Sequence, residues 1–197
     1  KAVVDTIQMV TMILSIGSLL VAGGIKLGKF LAKIGKHRGW SRIGNWSPAK
    51  IAEWFKGLER IKASQSGNPD WLRFQIEHCG PDEFKIPVSR ELAETGIYKA
   101  DGLVPPTILE AKYVDNPARS PFVPGSSIPD DVRQMILEKD VFSKLRKIKG
   151  IIQDPANPVD SLVIITNDAK AQAFFRRLLE EYELPGDVAL RELTGGN

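Results

Sequence analysis

Hydrophobic and polar positions follow two different patterns along the chain. Residues 6–25 form a run of twenty positions without a charge, which is the length of helix that spans a bilayer. Polar side chains such as Gln8 and Ser15 dilute this run. A membrane-spanning helix and a helical hairpin buried within a protein therefore both stay open as interpretations.

Basic residues follow this run directly, at Lys26, Lys29, Lys33, Lys36, Arg38 and Arg42. Such a flank suits contact with anionic lipid. The sequence starts with Lys1 rather than Met, and we expect it to be the C-terminal piece of a larger parent polypeptide. Residues 6–25 are then expected to contact a membrane, a chaperone or that parent chain.

A change of composition near residue 65 predicts a domain boundary. Before it, Ser47 and Pro48 are typical of a helix start, and apolar residues from Ile51 to Leu58 have helical spacing. Residues 64–69 are rich in Ser, Gly, Asn and Pro, which is typical of a linker. We therefore divide the chain into a helical hydrophobic and basic arm, residues 1–65, and a domain of residues 66–197 that is expected to fold and work alone.

Beyond the linker, helical and strand patterns alternate. Amphipathic spacing predicts helices over residues 70–79, 130–152 and 168–182. Apolar and β-branched runs predict strands over residues 97–104, 107–114 and 162–166. This order favours an α/β fold in which helices flank a mixed sheet.

Composition limits the chemistry that this domain can use. Cys79 is the only cysteine, which excludes an internal disulfide framework and a cysteine-rich zinc site. His37 and His78 are the only histidines, too few for a histidine-based metal site. Any metal would have to be held by carboxylates, which favours Mg²⁺ or Mn²⁺.

Charge is distributed unevenly along the chain. Residues 1–60 carry ten Lys or Arg and three Asp or Glu, a net charge of +7, whereas residues 61–197 carry seventeen and twenty-one, a net charge of −4. The basic pI therefore belongs to the N-terminal part and does not by itself indicate that the rest binds nucleic acid.

The most informative chemistry is a D-x8-E-x-K pattern formed by Asp101, Glu110 and Lys112. If the two strands turn at Pro105 and Pro106, Asp101 falls directly opposite Glu110, where Cβ atoms lie ~4.5 to 5.5 Å apart. Two carboxylates that close repel unless a cation lies between them, so Asp101 and Glu110 are candidate metal ligands. Alternation along the strand places Lys112 on the face of Glu110.

These residue types suit hydrolysis of a phosphodiester. Mg²⁺ or Mn²⁺ on the two carboxylates would act as a Lewis acid and lower the pKa of bound water. Lys112 could orient that water or neutralise the developing negative charge. All three residues are therefore candidate catalytic residues.

A second E-x-K is formed by Glu83 and Lys85, with Pro69 and Asp70 upstream. We prefer the first, because Asp70 begins a predicted helix and Gly80 with Pro81 interrupts the approach to Glu83. Only the version around Glu110 has the β-branched flanks of a sheet hairpin.

Several motifs in order carry a family resemblance: Trp71-Leu-Arg-Phe-Gln75, Lys99-Ala-Asp101-Gly102, Leu109-Glu110-Ala-Lys112, Asp154-Pro155, Leu162 to Asp168 and Leu184-Pro-Gly186. In this order the chain resembles the restriction-endonuclease-fold toxin domains of bacterial polymorphic toxins, the Tox-REase group of the PD-(D/E)xK nucleases. The resemblance covers about 130 residues, from Trp71 to Leu193. It implies a restriction-endonuclease-like sheet.

The resemblance also implies a function. Such a domain would be a metal-dependent toxin that cuts DNA in competing bacteria, is delivered into the target-cell cytoplasm as the C-terminal part of a larger effector, and is held inactive by a cognate immunity protein. A helix before the hairpin often supplies a further carboxylate or glutamine, and Glu77 and Gln75 are the matching positions. A polar or aromatic residue on the helix after the E-x-K strand also recurs, but its counterpart cannot be identified from this sequence.

A basic cluster in the predicted helix 130–152 is a candidate DNA-binding surface, formed by Lys144, Arg146, Lys147 and Lys149. The alternative is a solvated helix face. Two other classes of function also stay open: a membrane-active toxin that works through residues 6–25, and a catalytically inactive binding module with a nuclease-like fold.

Overall fold

The chain enters the described fold through a helix that Ser47 begins. In this computed structural model, which describes residues 46–64 and 68–194, the Ser47 side chain accepts a hydrogen bond from the backbone N–H of Lys50, and helix α1 (Pro48–Gly57) follows. Strand β1 (Glu59–Lys62) comes next. This start agrees with the predicted short helix.

Helix α2 (Pro69–Cys79) follows and has its own start and stop signals. The Asn68 side chain caps its N-terminus, and Gly80 ends it with a φ of 102°. Because that φ lies in a region that L side chains rarely adopt, glycine is required there. The chain then continues into strand β2 (Asp82–Pro87).

A bend at Asp101 divides the next extended stretch into two strands, β3 (Ile97–Ala100) and β4 (Gly102–Val104). Strand β3 pairs with β2, and β4 turns through a cis Pro105–Pro106 bond into β5 (Thr107–Lys112). Asp101 therefore lies where the two sheets of the fold meet.

The rest of the domain alternates helices and strands. The long helical stretch consists of helix α3 (Asp130–Leu137), a π-helical segment (Glu138–Phe142) and helix α4 (Ser143–Gln153). Strand β6 (Ser161–Thr166), helix α5 (Ala169–Glu181) and strand β7 (Gly186–Leu190) complete the fold. A short 3₁₀ turn, Pro117–Arg119, lies in the loop after β5.

The described strands form two sheets. The first has the order β1-β2-β3 and is antiparallel. The second has the order β4-β5-β6-β7 and is mixed, because β4 is antiparallel to β5 whereas β5, β6 and β7 run parallel.

Both faces of the second sheet are covered. On one face Ile108, Leu162 and Ile164 pack with side chains of the long helical stretch and of α5. On the other face Leu109 and Val163 pack against Phe74 of α2. A strand buried on both faces reads as an uninterrupted apolar run, which explains the sequence of β6.

The predicted fold class is confirmed: helices flank a mixed α/β arrangement. The predicted helices, the hairpin and the buried strand 162–166 are all present. Strands β1, β2 and β7 were not predicted, because each is short or charged at alternate positions and lacks a strong apolar pattern of its own.

The region around the predicted boundary packs as one core. Strand β1 pairs with β2, and Phe55 of α1 stacks on Phe84 of β2 with ring centroids 5.2 Å apart. Residues 48–62, assigned above to the arm, therefore share their core with the chain beyond residue 68. We propose on this basis that the folded domain begins before Pro48 rather than at residue 66.

The predicted hydrophobic run 6–25 lies outside the described residues, as does most of the predicted arm. Among the helices that the structure does describe, none combines the length and the apolar character needed to cross a membrane.

Candidate active site

The Glu110 carboxylate is the centre of a buried polar cluster. Only 2% of the residue is exposed. Its Oε1 accepts a hydrogen bond from the Tyr98 hydroxyl at 2.6 Å, and its Oε2 accepts from the Nζ atoms of Lys112 and Lys144 at 3.2 and 3.1 Å. Every oxygen of this buried carboxylate thus has a donor, as burial of a charge demands.

Asp101 lies beside Glu110, as the predicted register requires. The observed pairs are Gly102–Leu109, Leu103–Ile108 and Val104–Thr107, so Asp101 comes directly before the first paired residue of β4 and Glu110 directly after its partner on β5. The Oδ2 of Asp101 accepts a hydrogen bond from the backbone N–H of Ala111 at 2.9 Å, which fixes its carboxylate against β5.

The two carboxylates have pKa values that move in opposite directions. Burial raises the pKa of Asp101 to about 6, and the charge of Glu110 adds to the effect. Burial also acts to raise the pKa of Glu110, but the charges of Lys144 and Lys112 and the hydrogen bond from Tyr98 outweigh it and lower the value to about 2. Glu110 is therefore the fixed anion of the cluster, and Asp101 is the carboxylate whose charge is least compensated.

The two lysines reach Glu110 from different elements. Lys112 comes from the same strand, two residues further on, and its side chain is 13% exposed. Lys144 comes from α4, which packs on one face of the second sheet, and its side chain is 36% exposed. The charge of Glu110 raises the pKa of Lys144, so this ammonium remains protonated. Both lysines and Glu110 line a small pocket between the sheet and the helices, together with Asp140.

Lys144 and Tyr98 are the members of the cluster that the sequence interpretation did not place there. Lys144 was assigned to DNA contact, yet it lies three residues after Val141 and four before Ile148, both of which are buried. Helical spacing therefore places Lys144 beside the buried face of the helix, and this could have been recognised from the sequence. The indication for Tyr98 was weaker: a tyrosine in a buried strand needs a hydrogen-bond partner for its hydroxyl, but the sequence does not show which residue it is.

Gln75 and Glu77 take different positions. Gln75 is buried on α2, and its Nε2 donates to Glu83 at 3.2 Å. Glu83 lies on β2 next to Phe84, which pairs with Ala100 of β3, so the Gln75 side chain is directed to the first sheet. Glu77 instead accepts hydrogen bonds from the backbone N–H and the hydroxyl of Thr194, at 3.2 and 2.7 Å, and these contacts direct it to the C-terminal segment.

The four basic residues predicted to contact DNA divide into two pairs on the helix. At 100° per residue, Lys144 and Lys147 share one side of α4, and Arg146 and Lys149 share another. Arg146 is paired with Glu138, and Lys149 with Glu183 at 3.2 Å.

Two carboxylates are a sufficient protein donor set for one metal. Among the described residues, no group of three or more His, Cys, Asp and Glu side chains is arranged to hold a metal ion. Mg²⁺, however, is commonly bound through one or two carboxylates, with water and substrate phosphate completing the shell. The under-compensated charge of Asp101 beside Glu110 fits such an ion, which these two residues would hold.

The D-x8-E-x-K residues lie together at a β-hairpin of a mixed sheet between helices. Residues 71–185 match the family described as restriction endonuclease fold toxin 2, and because the match covers more than half of the chain, the chain belongs to this family. The resemblance inferred from the ordered motifs is therefore confirmed. No curated protein and no solved structure matches the chain.

Proposed function

We propose that this domain is a metal-dependent endonuclease that hydrolyses DNA phosphodiester bonds. The observation that carries the proposal is the meeting of Asp101, Glu110 and Lys112 on one hairpin, with Glu110 almost completely buried. A buried carboxylate held between cations is costly to build, and such perturbed groups are concentrated at functional sites.

Each residue has a role that follows from its position. Asp101 and Glu110 would hold Mg²⁺ or Mn²⁺, and the ion when bound supplies Lewis acidity and a water of lowered pKa. Tyr98 holds Oε1 of Glu110 and so fixes the carboxylate plane. Lys112, with its ammonium 3.2 Å from Oε2 of Glu110, is placed to orient the attacking water or to neutralise charge on the phosphate.

DNA is the proposed substrate, and the basic residues of α4 are its proposed contacts. Lys144 and Lys147 share the side of the helix that reaches the site, so they would meet phosphates close to the scissile bond. Arg146 and Lys149 lie on another side of α4 and would meet phosphates further away. Their present ion pairs are partly exposed and therefore weak, so phosphates could replace the carboxylate partners.

The biological setting proposed here comes from the toxin family. We place the domain at the C-terminal end of a larger bacterial effector that delivers it into the cytoplasm of competing cells, and we expect a cognate immunity protein to block it. The net charge of −4 over residues 61–197 means that this inhibitor need not be an acidic mimic of DNA. Expression of the intact chain should be toxic to bacteria, whereas the Glu110→Gln variant should be tolerated.

The direct test of the activity is a plasmid cleavage assay on the intact chain made by cell-free synthesis. Mg²⁺ or Mn²⁺ should support nicking and linearisation, and EDTA should abolish both. A single-stranded RNA of similar length serves as the second substrate and should be cut much more slowly. Cleavage that persists in EDTA would contradict the metal dependence, and equal cleavage of RNA would contradict the choice of DNA.

Folded protein that binds plasmid without cutting it would favour the alternative of an inactive binding module. Toxicity that survives the Glu110→Gln substitution but is lost on deletion of residues 6–25 would favour the membrane-active alternative.

A further inference from the structure

Glu110 already has two cations on one oxygen. The Nζ atoms of Lys112 and Lys144 both lie on Oε2, at 3.2 and 3.1 Å, while the Tyr98 hydroxyl occupies Oε1. A divalent ion that approaches Glu110 must therefore share or replace an existing donor. One of these three donors would then lose or weaken its contact with Glu110.

Two lysines oppose the charge of a divalent ion at this site. Both ammonium groups contact the Glu110 carboxylate. A metal ion that binds Asp101 and Glu110 would meet these two ammonium groups at close range. Like charges at such distances oppose one another by an amount that changes affinity severalfold even in a polar medium.

Lys144 is the more easily displaced of the two lysines. Lys112 is fixed by the strand that also carries Glu110, and its side chain is only 13% exposed. Lys144 reaches in from α4, and 36% of its side chain is exposed, so the protein encloses it less than Lys112. It also lies in the first turn after the π-helical segment, and π-helical turns are frequent at functional sites.

We propose that Lys144 is a resident counter-ion of the metal site, which neutralises Glu110 in the metal-free protein and competes with the divalent ion for Oε2. The inference rests on the proposed function, because it takes Asp101 and Glu110 as the metal ligands. Lys144 acts here as a positioning residue: it holds the empty site together and sets the metal concentration at which the site becomes loaded.

The experiment measures metal affinity without any nucleic acid. Mn²⁺ is titrated by calorimetry into the intact chain and into Lys144→Met, with Lys144→Gln as a second neutral variant and Lys144→Arg as the charge-conserving one. We expect Mn²⁺ to bind about tenfold more tightly to both neutral variants, because one opposing charge has been removed. Lys144→Arg should keep an affinity close to that of the unsubstituted chain.

Thermal unfolding of the same proteins in EDTA provides the second readout. Lys144→Met and Lys144→Gln should lower Tm in the metal-free state, because buried Glu110 loses one of its cationic partners. Mn²⁺ should raise Tm by more in these two variants than in the unsubstituted chain, because they bind the ion more tightly. Lys139→Met is the matched control, because Lys139 is exposed and lies five residues earlier on the same helical stretch. It should change neither quantity.

Two results would overturn the inference in distinguishable ways. If the unsubstituted chain binds Mn²⁺, Glu110→Gln loses that binding, and both neutral Lys144 variants bind as the unsubstituted chain does or more weakly, the counter-ion role alone is wrong. If the unsubstituted chain binds no Mn²⁺, the metal site of the proposed function fails, and the counter-ion role fails with it.

Discussion

The two E-x-K motifs of this chain share their letters but not their surroundings. Glu110 and Lys112 lie on β5, whose sheet is covered on both faces, and there the carboxylate is buried among Tyr98, Lys144 and Asp101. Glu83 and Lys85 lie on β2 of the smaller sheet. There Lys85 forms a salt bridge with Glu59 of the edge strand β1, and Glu83 accepts a hydrogen bond from the Gln75 side chain. We infer that burial and neighbouring charges, rather than the E-x-K spacing alone, distinguish the proposed catalytic motif from the other one.

The largest effect is expected from breaking the hairpin cluster itself. Asp101→Asn and Lys112→Ala should each lower the rate of plasmid cleavage by on the order of a thousandfold or more, because loss of charge stabilisation at the reacting phosphate costs several kcal/mol of barrier. Circular dichroism should be unchanged, which separates lost chemistry from lost fold. A variant that keeps a tenth of the activity would remove its residue from the catalytic set.

The next effect concerns the N-terminal limit of the domain. Residues 66–197 alone should be much less stable than residues 46–197, because deletion of α1 and β1 uncovers Phe84 and removes Ile51, Phe55 and Leu58 from the core. Each buried side chain of this kind contributes about 1.5 to 3 kcal/mol, so the loss is comparable to the stability of a whole domain.

Thermal unfolding of the two fragments measures this difference. The sequence alone favoured an independent domain of residues 66–197, whereas the packing favours the longer fragment. Equal Tm values would return the boundary to residue 65.

A smaller effect is expected from the unequal carboxylates. The pKa of Asp101 is raised to about 6 from an ordinary value of 3.8, first by burial and then by Glu110. A carboxyl whose pKa is raised by folding stabilises the folded state at pH values below its pKa in the unfolded chain. That stabilisation is lost as the pH rises through the folded-state pKa of Asp101, about 6. In EDTA, Asp101→Asn should therefore melt several degrees above the unsubstituted chain at pH 8, and the gap should narrow towards pH 4.

A scan of Tm against pH with both proteins in EDTA tests this sign. A gap that widens as the pH falls would mean that the folded protein favours the ionised form of Asp101, contrary to the environment described here.

The smallest effect should come from the second motif. Lys85→Ala should change the cleavage rate by less than about tenfold and shift stability by about 1 kcal/mol at most, because a partly exposed ion pair at an edge strand contributes little. The matched comparison is Lys112→Ala, which removes the lysine at the same place in the other motif. A loss of activity of the same size in both variants would erase the distinction between them.

The hairpin could be predicted from the sequence because its determinants are local. Alternation and the pair of prolines predicted the hairpin register, amphipathic spacing predicted α2, and an apolar run predicted β6. The position of Lys144 depends on how α4 packs across the sheet, which spacing along the helix only suggests. Tyr98 lies on β3, before the bend at Asp101, and its contact with Glu110 of β5 joins the two sheets, which no apolar pattern along the chain indicates.

Glu77 marks the limit of transfer from a family pattern. Gln75 and Glu77 lie two residues apart and therefore project to different sides of α2. Gln75 faces the sheets, and Glu77 meets Thr194 of the C-terminal segment, which no local signal connected with this helix. Whether either residue contributes to catalysis stays a prediction.

The choice of Glu110 as the catalytic glutamate is tested by a side-by-side cleavage measurement of Glu110→Gln and Glu83→Gln at the same Mg²⁺ concentration. Each substitution removes one carboxylate charge from the glutamate of an E-x-K motif and changes almost nothing in size. We expect Glu110→Gln to lose on the order of a thousandfold in rate and Glu83→Gln to stay within about tenfold of the unsubstituted chain. Abolished cleavage in Glu83→Gln together with full activity in Glu110→Gln would contradict both the site and the function proposed for it.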